Sequence, residues 1–176
     1  MNPRADTERF ELQFDPADIP RLATSYGPER DDAALAAGGR IRGGEFTRKN
    51  LSEIFDWKTK GRGRSRLRGN SDEEITDAIR LAVSAKTERA AIAVLLGLNG
   101  VLVPVASAIL TAIDPERYTV IDFRALEALG SKSADRTINF YLTYLDACRK
   151  FAKAHRVPLR DLDRALWQWS YEQSRR

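Results

Sequence analysis

The chain has 176 residues, of which 43% are hydrophobic and 31% charged, and a net charge of +4. That length and balance fit one ordinary globular domain able to bury a proper core. A single cysteine, Cys148, excludes an internal disulfide, and beside a single histidine it argues against a protein-built zinc or iron–sulfur site.

The charge is uneven. Residues 40–68 hold ten Lys/Arg against three Asp/Glu, while the remainder holds nineteen against twenty-two. A local cationic excess is the footprint of a polyanion contact. The N-terminal stretch MNPRADTERFELQFD is polar and has no signal-peptide pattern. The longest apolar run, within residues 90–113, is interrupted by Gly97, Asn99, Gly100 and Pro104, so it fits a hairpin better than a membrane span. A monomeric cytoplasmic protein without membrane contact is expected.

Residues 1–14 read as an irregular or extended arm in which Phe10, Leu12 and Phe14 alternate, pinned to the core by its aromatics. Pro20 opens a short helix through Tyr26, ended by Gly27-Pro28. A small helix over residues 29–37 stops at Gly38-Gly39, leaving Arg40 and Arg42 in a loop. Thr47 caps a helix to about Trp57, with Leu51, Ile54 and Phe55 as its apolar face. Trp57 is either a core anchor or a stacking or wedge residue.

Lys58, Lys60, Arg62, Arg64, Arg66 and Arg68 follow, six cations over eleven positions. Gly61 and Gly63 disfavour a helix. An extended mobile loop lays such side chains along a phosphate backbone, giving affinity without sequence readout. The competing reading is a solvated loop. Next, Ser71 and Glu74 form a capping box, and Ile75, Ala78, Ile79 and Ala82 supply the helical stripe behind it.

From 88 to 122 the chain reads as helix, tight hairpin, helix, irregular run and a lone acid. Gly97, Leu98, Asn99 and Gly100 break the first helix. Pro104 suits the first turn of the second, and Asp114-Pro115 ends it. Backbone N–H groups beside a helix N-terminus form a ready phosphate site; the alternative is an αα-hairpin that only packs. Asp122 stands where a helix N-cap belongs. A short helix then runs to Leu129 and stops at Gly130. Ser133 caps a long helix to about Ala154, with Tyr141, Tyr144, Leu145, Cys148 and Ala152 as its core stripe. Pro158 starts a last helix that buries Leu159, Leu162, Leu166 and Trp169 and turns Trp167 to a flank. With no strand-rich segment, the expectation is an all-α fold in one domain. Its parts are an arm and short helices (1–39), a basic segment (40–70), a hairpin-containing core (71–130) and C-terminal helices (131–176).

The run Leu98-Asn99-Gly100-Val101-Leu102-Val103-Pro104-Val105-Ala106-Ser107, with an acid eighteen positions beyond Pro104, resembles the helix–hairpin–helix DNA glycosylases of base-excision repair. Their hairpin reads L-P-G-V-G-x-x-x-A, and their catalytic aspartate follows at similar distance in a V-D-x-H context. The match covers about thirty-five residues, a fifth of the chain. It implies a helix–hairpin–helix glycosylase-like bundle with two lobes flanking a cleft, double-stranded DNA as partner, and Asp122 as the catalytic residue. It implies duplex contacts from Asn99, Gly100, Val101, Leu102, Val103 and Ser107, beside those read from charge for the six cations of 58–68. A pocket or wedge is drawn from Trp57, Tyr118, Arg124 and Trp167. No metal or cofactor is implied beyond a monovalent cation at the hairpin.

Three positions depart from the pattern. Leu102 replaces the second glycine, Arg124 replaces the histidine, and no lysine lies near Pro104, where bifunctional members carry their nucleophile. The missing lysine points to a monofunctional enzyme. Breaking an N-glycosidic bond builds positive charge on the sugar, which a carboxylate stabilises while orienting water, once the base has left the stack. Arg124 either pairs with Asp122 and silences it or reaches a phosphate. The alternatives are a non-catalytic helix–hairpin–helix duplex-binding module and a protein whose hairpin is architecture alone.

Overall fold

The arm beginning at Phe10 is held as its alternation predicts. Phe10 packs edge-on against Phe140 and Tyr144, Phe14 stacks on Trp169, and the Glu11 and Gln13 N–H groups donate to the carbonyls of Leu129 and Ala128. A computed structural model describes residues 10–175; the earlier part of the arm lies outside them. The described residues form ten α-helices and no strand, so the all-α expectation holds. None of these helices is long and apolar enough to cross a membrane.

The helices are α1 (Ile19–Tyr26), α2 (Asp32–Arg42), α3 (Arg48–Thr59), α4 (Arg64–Leu67) and α5 (Asp72–Ser84), then α6 (Glu88–Leu95), α7 (Val103–Ile113), α8 (Phe123–Ala128), α9 (Ile138–His155) and α10 (Leu159–Gln173). By their closest packing they sort into two sets. In one, α1, α8 and α9 surround α10; in the other, α2, α3, α5, α6 and α7 pack together, with α6 also touching α9.

Several starts follow from the residues alone. Thr47 accepts from Asn50 N–H at the head of α3, and Ser71 and Glu74 make the full capping box of α5. Three expectations fail for tertiary or local reasons. Gly38-Gly39 does not stop α2, which continues to Arg42. A Cβ on Gly38 would lie 1.9 Å from the Ala112 carbonyl oxygen, so this glycine lets α2 lie directly on α7. Arg40 and Arg42 are therefore helical: Arg40 binds Asn50 and Glu53, and Arg42 donates to the Ile113 carbonyl at the end of α7.

The cationic stretch is not an extended loop either. Lys60, Gly61 and Gly63 adopt left-handed backbone angles, which reverse the chain after α3, and Leu67 buries itself in the core. Finally, Thr137 rather than Ser133 caps α9, accepting from Phe140 N–H. Ser131, Ser133 and Asp135 instead accept from the N–H groups two residues on, a chain of local turns that competes with helix.

Candidate functional site

Asp122 ends the irregular run after α7, and side chains from three helices fix that run's backbone. Tyr141 Oη donates to the Thr119 carbonyl at 3.0 Å and Tyr144 Oη to the Val120 carbonyl at 2.8 Å. Val120 N–H donates to Asp163 Oδ2 and Ile121 N–H to Ser107 Oγ, each at 3.1 Å. Burial holds both tyrosine hydroxyls well above the ordinary phenol range, so they remain donors.

Asp122 itself does two things. Its Oδ1 accepts from Ala125 N–H at 3.0 Å and caps α8. Its Oδ2 accepts from Lys58 Nζ at 3.2 Å. The carboxylate is 21% exposed and lines a cavity of about 370 Å³ at the seam between the two helix sets. Trp57, Lys58 and Lys60 come to this cavity from the end of α3, and Tyr26 and Arg30 from α1 and the turn after it. One face of α10 supplies Arg160, Asp163, Arg164 and Trp167. Trp57 and Trp167 thus line one cavity with Asp122.

The cavity is backed by an ion-pair hub that sequence reading missed. Asp31 is fully buried. Its Oδ1 accepts from Tyr26 Oη at 2.9 Å, and its Oδ2 accepts from Arg160 Nε and Nη2 at 3.0 and 2.7 Å and from Arg164 Nε at 2.8 Å. Arg160 also binds Asp163, and its guanidinium lies 5.4 Å from the Trp57 ring centroid and 5.8 Å from that of Tyr26. A charge this deep is tolerable only with such a set of partners. The signal for part of it was present: Arg160, Asp163, Arg164 and Trp167 repeat at i, i+3, i+4 and i+7, a second stripe beside the leucines of α10. Asp31 gave no such sign.

A second depression lies on the other side of the α3 end. Trp57, Lys58 and Lys60 turn to the cavity, whereas Phe55, Thr59 and Arg62 line a groove of about 550 Å³ with Arg66, Gly100, Leu102 and Pro104. The hairpin and the cationic turn therefore meet here. The N–H groups of Gly100, Leu102, Val103 and Val105 have no acceptor among the described residues, as expected at the open start of a helix. Leu102 is 70% exposed at the tip.

The other expected site residues are placed as follows. Asn99 N–H is taken by Asn70 Oδ1 at 2.8 Å, so it does not face a phosphate. The side chains of Val101, Val103 and Ser107 are buried; the Ser107 hydroxyl donates to the Pro104 carbonyl and holds Ile121. Tyr118 is buried away from the cavity, beneath Arg117. Arg124 neither pairs with Asp122 nor stands free: it donates to Ser170 and Ser174 and stacks over Phe123, Trp167 and Tyr171. Lys58 is a cavity residue, and Arg64, though exposed, is folded back bidentately on Asp56, which leaves Lys60, Arg62, Arg66 and Arg68 as the exposed cations of the turn with no carboxylate partner among the described residues. At the hairpin, the Leu98 carbonyl accepts from Val101 N–H and the Asn99 carbonyl from Asn70 Nδ2, each keeping a second lone pair.

The chain matches no protein-family model, no curated protein and no solved structure.

Proposed function

We propose that the protein binds duplex DNA and releases a damaged or modified base by hydrolysing its N-glycosidic bond, as a monofunctional glycosylase-type enzyme. The observation that carries this reading is a carboxylate, Asp122, opening into an aromatic-walled cavity beside a groove formed by a hairpin and a cationic turn. A base leaving the stack needs an aromatic-lined chamber, and Trp57 and Trp167 line this one, each with a guanidinium over its ring. The sugar needs a nearby anion as positive charge develops, which Asp122 offers. The phosphates need cations and unpaired N–H groups, which the groove between the hairpin and the cationic turn offers.

The test is incubation with duplexes bearing varied damaged or modified bases, followed by alkali. Release abolished by Asp122→Asn, a loss of about 10³-fold, supports the enzyme. A second reading, a non-catalytic duplex-binding module, is favoured by the Lys58–Asp122 pair, which occupies the oxygen that capping leaves over. Tight duplex binding with no release from any substrate selects that module.

Either reading demands steep salt dependence. Replacing Arg62, Arg64 and Arg66 together by alanine is expected to lower the slope of log K against log salt by about 0.9 for each phosphate that is no longer neutralised. Most of that change is assigned to Arg62 and Arg66, because Asp56 already engages Arg64. Fluorescence anisotropy across a salt series gives the slope, and an unchanged slope removes the turn from the interface.

A further inference from the structure

Asp163 is the cavity group whose bonding is half complete. Its side chain is 5% exposed, yet it lines the same cavity as Asp122. Its Oδ2 accepts from Val120 N–H and Arg160. Its Oδ1 has no donor among the described residues, and it is not sealed off, since the Thr119 hydroxyl is the one fully enclosed side-chain oxygen there that lacks a partner. Oδ1 therefore opens to the cavity. Trp167 stands one helical turn further along α10 and lines the same cavity, so a base admitted beside it lies within a turn of this oxygen.

Two carboxyl groups in one cavity with different surroundings are the arrangement that separates an acid from its partner. Asp122 is held by an ammonium and a backbone N–H. Asp163 has a guanidinium on one oxygen and nothing on the other among the described residues. We propose that Asp163 is the general acid of the base-loss reaction, giving a proton from Oδ1 to the departing base while Asp122 attends the sugar. This rests on the glycosylase reading above.

In the step, the C1′–N bond breaks and its electron pair leaves with the base, where the proton from Asp163 neutralises it. Water then adds to C1′ and releases its proton to solvent, and the Asp163 carboxylate regains a proton through the cavity mouth. Burial raises this carboxyl above the usual carboxylate range, with Arg160 and Val120 N–H acting against the rise. The charged groups facing it are Arg160 on its own helix, Asp31 from the turn after α1 and Asp122 from the connecting run. Tyr26, Tyr141, Tyr144 and Cys148 also face it, and burial raises all four. They do not titrate alongside it near neutral pH.

The experiment measures single-turnover release against pH, with the full chain in excess over duplex. For the wild type, the rate is expected to fall tenfold per pH unit once the acid is ionised. Asp163→Asn is expected to lower the rate about 10²-fold at the acidic end and to abolish that falling limb, with DNA affinity unchanged. A purely structural role lowers the rate and leaves the limb. If the asparagine variant does not fold, as judged by circular dichroism, Asp163→Glu is read instead: a displaced limb supports the acid, an unmoved limb overturns it. A limb that survives Asp163→Asn overturns the acid and leaves the glycosylase reading standing. Release of no base by the wild type overturns both.

Discussion

Gly38→Ala is expected to destabilise the protein by about 3 kcal/mol or more, lowering the melting temperature by roughly 6–12 °C. The added methyl would meet backbone, not a movable side chain: it would lie 1.9 Å from the Ala112 carbonyl oxygen, 2.2 Å from its carbon and 2.7 Å from the Ile113 nitrogen. Relief requires α2 to lift from α7, which would expose Ala34, Ala37 and Ile41 and pull Arg42 from the Ile113 carbonyl. The neighbouring glycine is the control. Gly39 is helical, and a Cβ there meets nothing within 4 Å. Gly39→Ala is expected to stabilise by about 0.5–1 kcal/mol, because alanine loses less backbone freedom on entering a helix. Calorimetric melting of both variants decides the matter. Similar midpoints would mean that α2 and α7 do not touch as described.

Asp31→Ala is expected to cost about 3–5 kcal/mol. The substitution leaves two guanidiniums and a phenol at the back of the cavity without their shared acceptor. Arg160 retains Asp163 and Arg164 retains Asp161, so neither is stripped of all company. The loss therefore comes from desolvated charge and not from packing volume. Asp31→Asn keeps an oxygen acceptor and the shape but not the charge, and it should recover part of the loss. Urea denaturation at fixed pH measures both. An asparagine variant as unstable as alanine would assign the effect to charge alone; an alanine variant as stable as wild type would mean that the hub does not hold the fold together.

The readable parts of this fold are those in which neighbours in sequence decide the outcome. Thr47, Ser71 and Glu74 cap their own helices, Pro104 sits in the first turn of α7, and the stripe from Tyr141 to Ala152 repeats at helical spacing. The failures occur where a distant contact outweighs a local rule. A glycine pair that reads as a helix stop is a contact with α7, and a cationic run that reads as extended is folded by left-handed backbone angles and the burial of Leu67. The site divides the same way. Asp122 is legible as a cap, whereas its partner Lys58 lies 64 positions away and reads as a phosphate ligand. Asp31 and Arg160 are 129 positions apart, and no spacing rule reaches that far.

That last separation bears on how the molecule is made. During synthesis Asp31 leaves the ribosome long before Arg160 exists, and the α1 surface waits unpaired for α10. Ordering so distant a closure is slow compared with forming the local hairpins between. Neither the hub nor the cavity's rear wall can be completed before α10 has been made. A nascent chain lacking its final helix would carry the hairpin and its cationic neighbour with no finished chamber beside them.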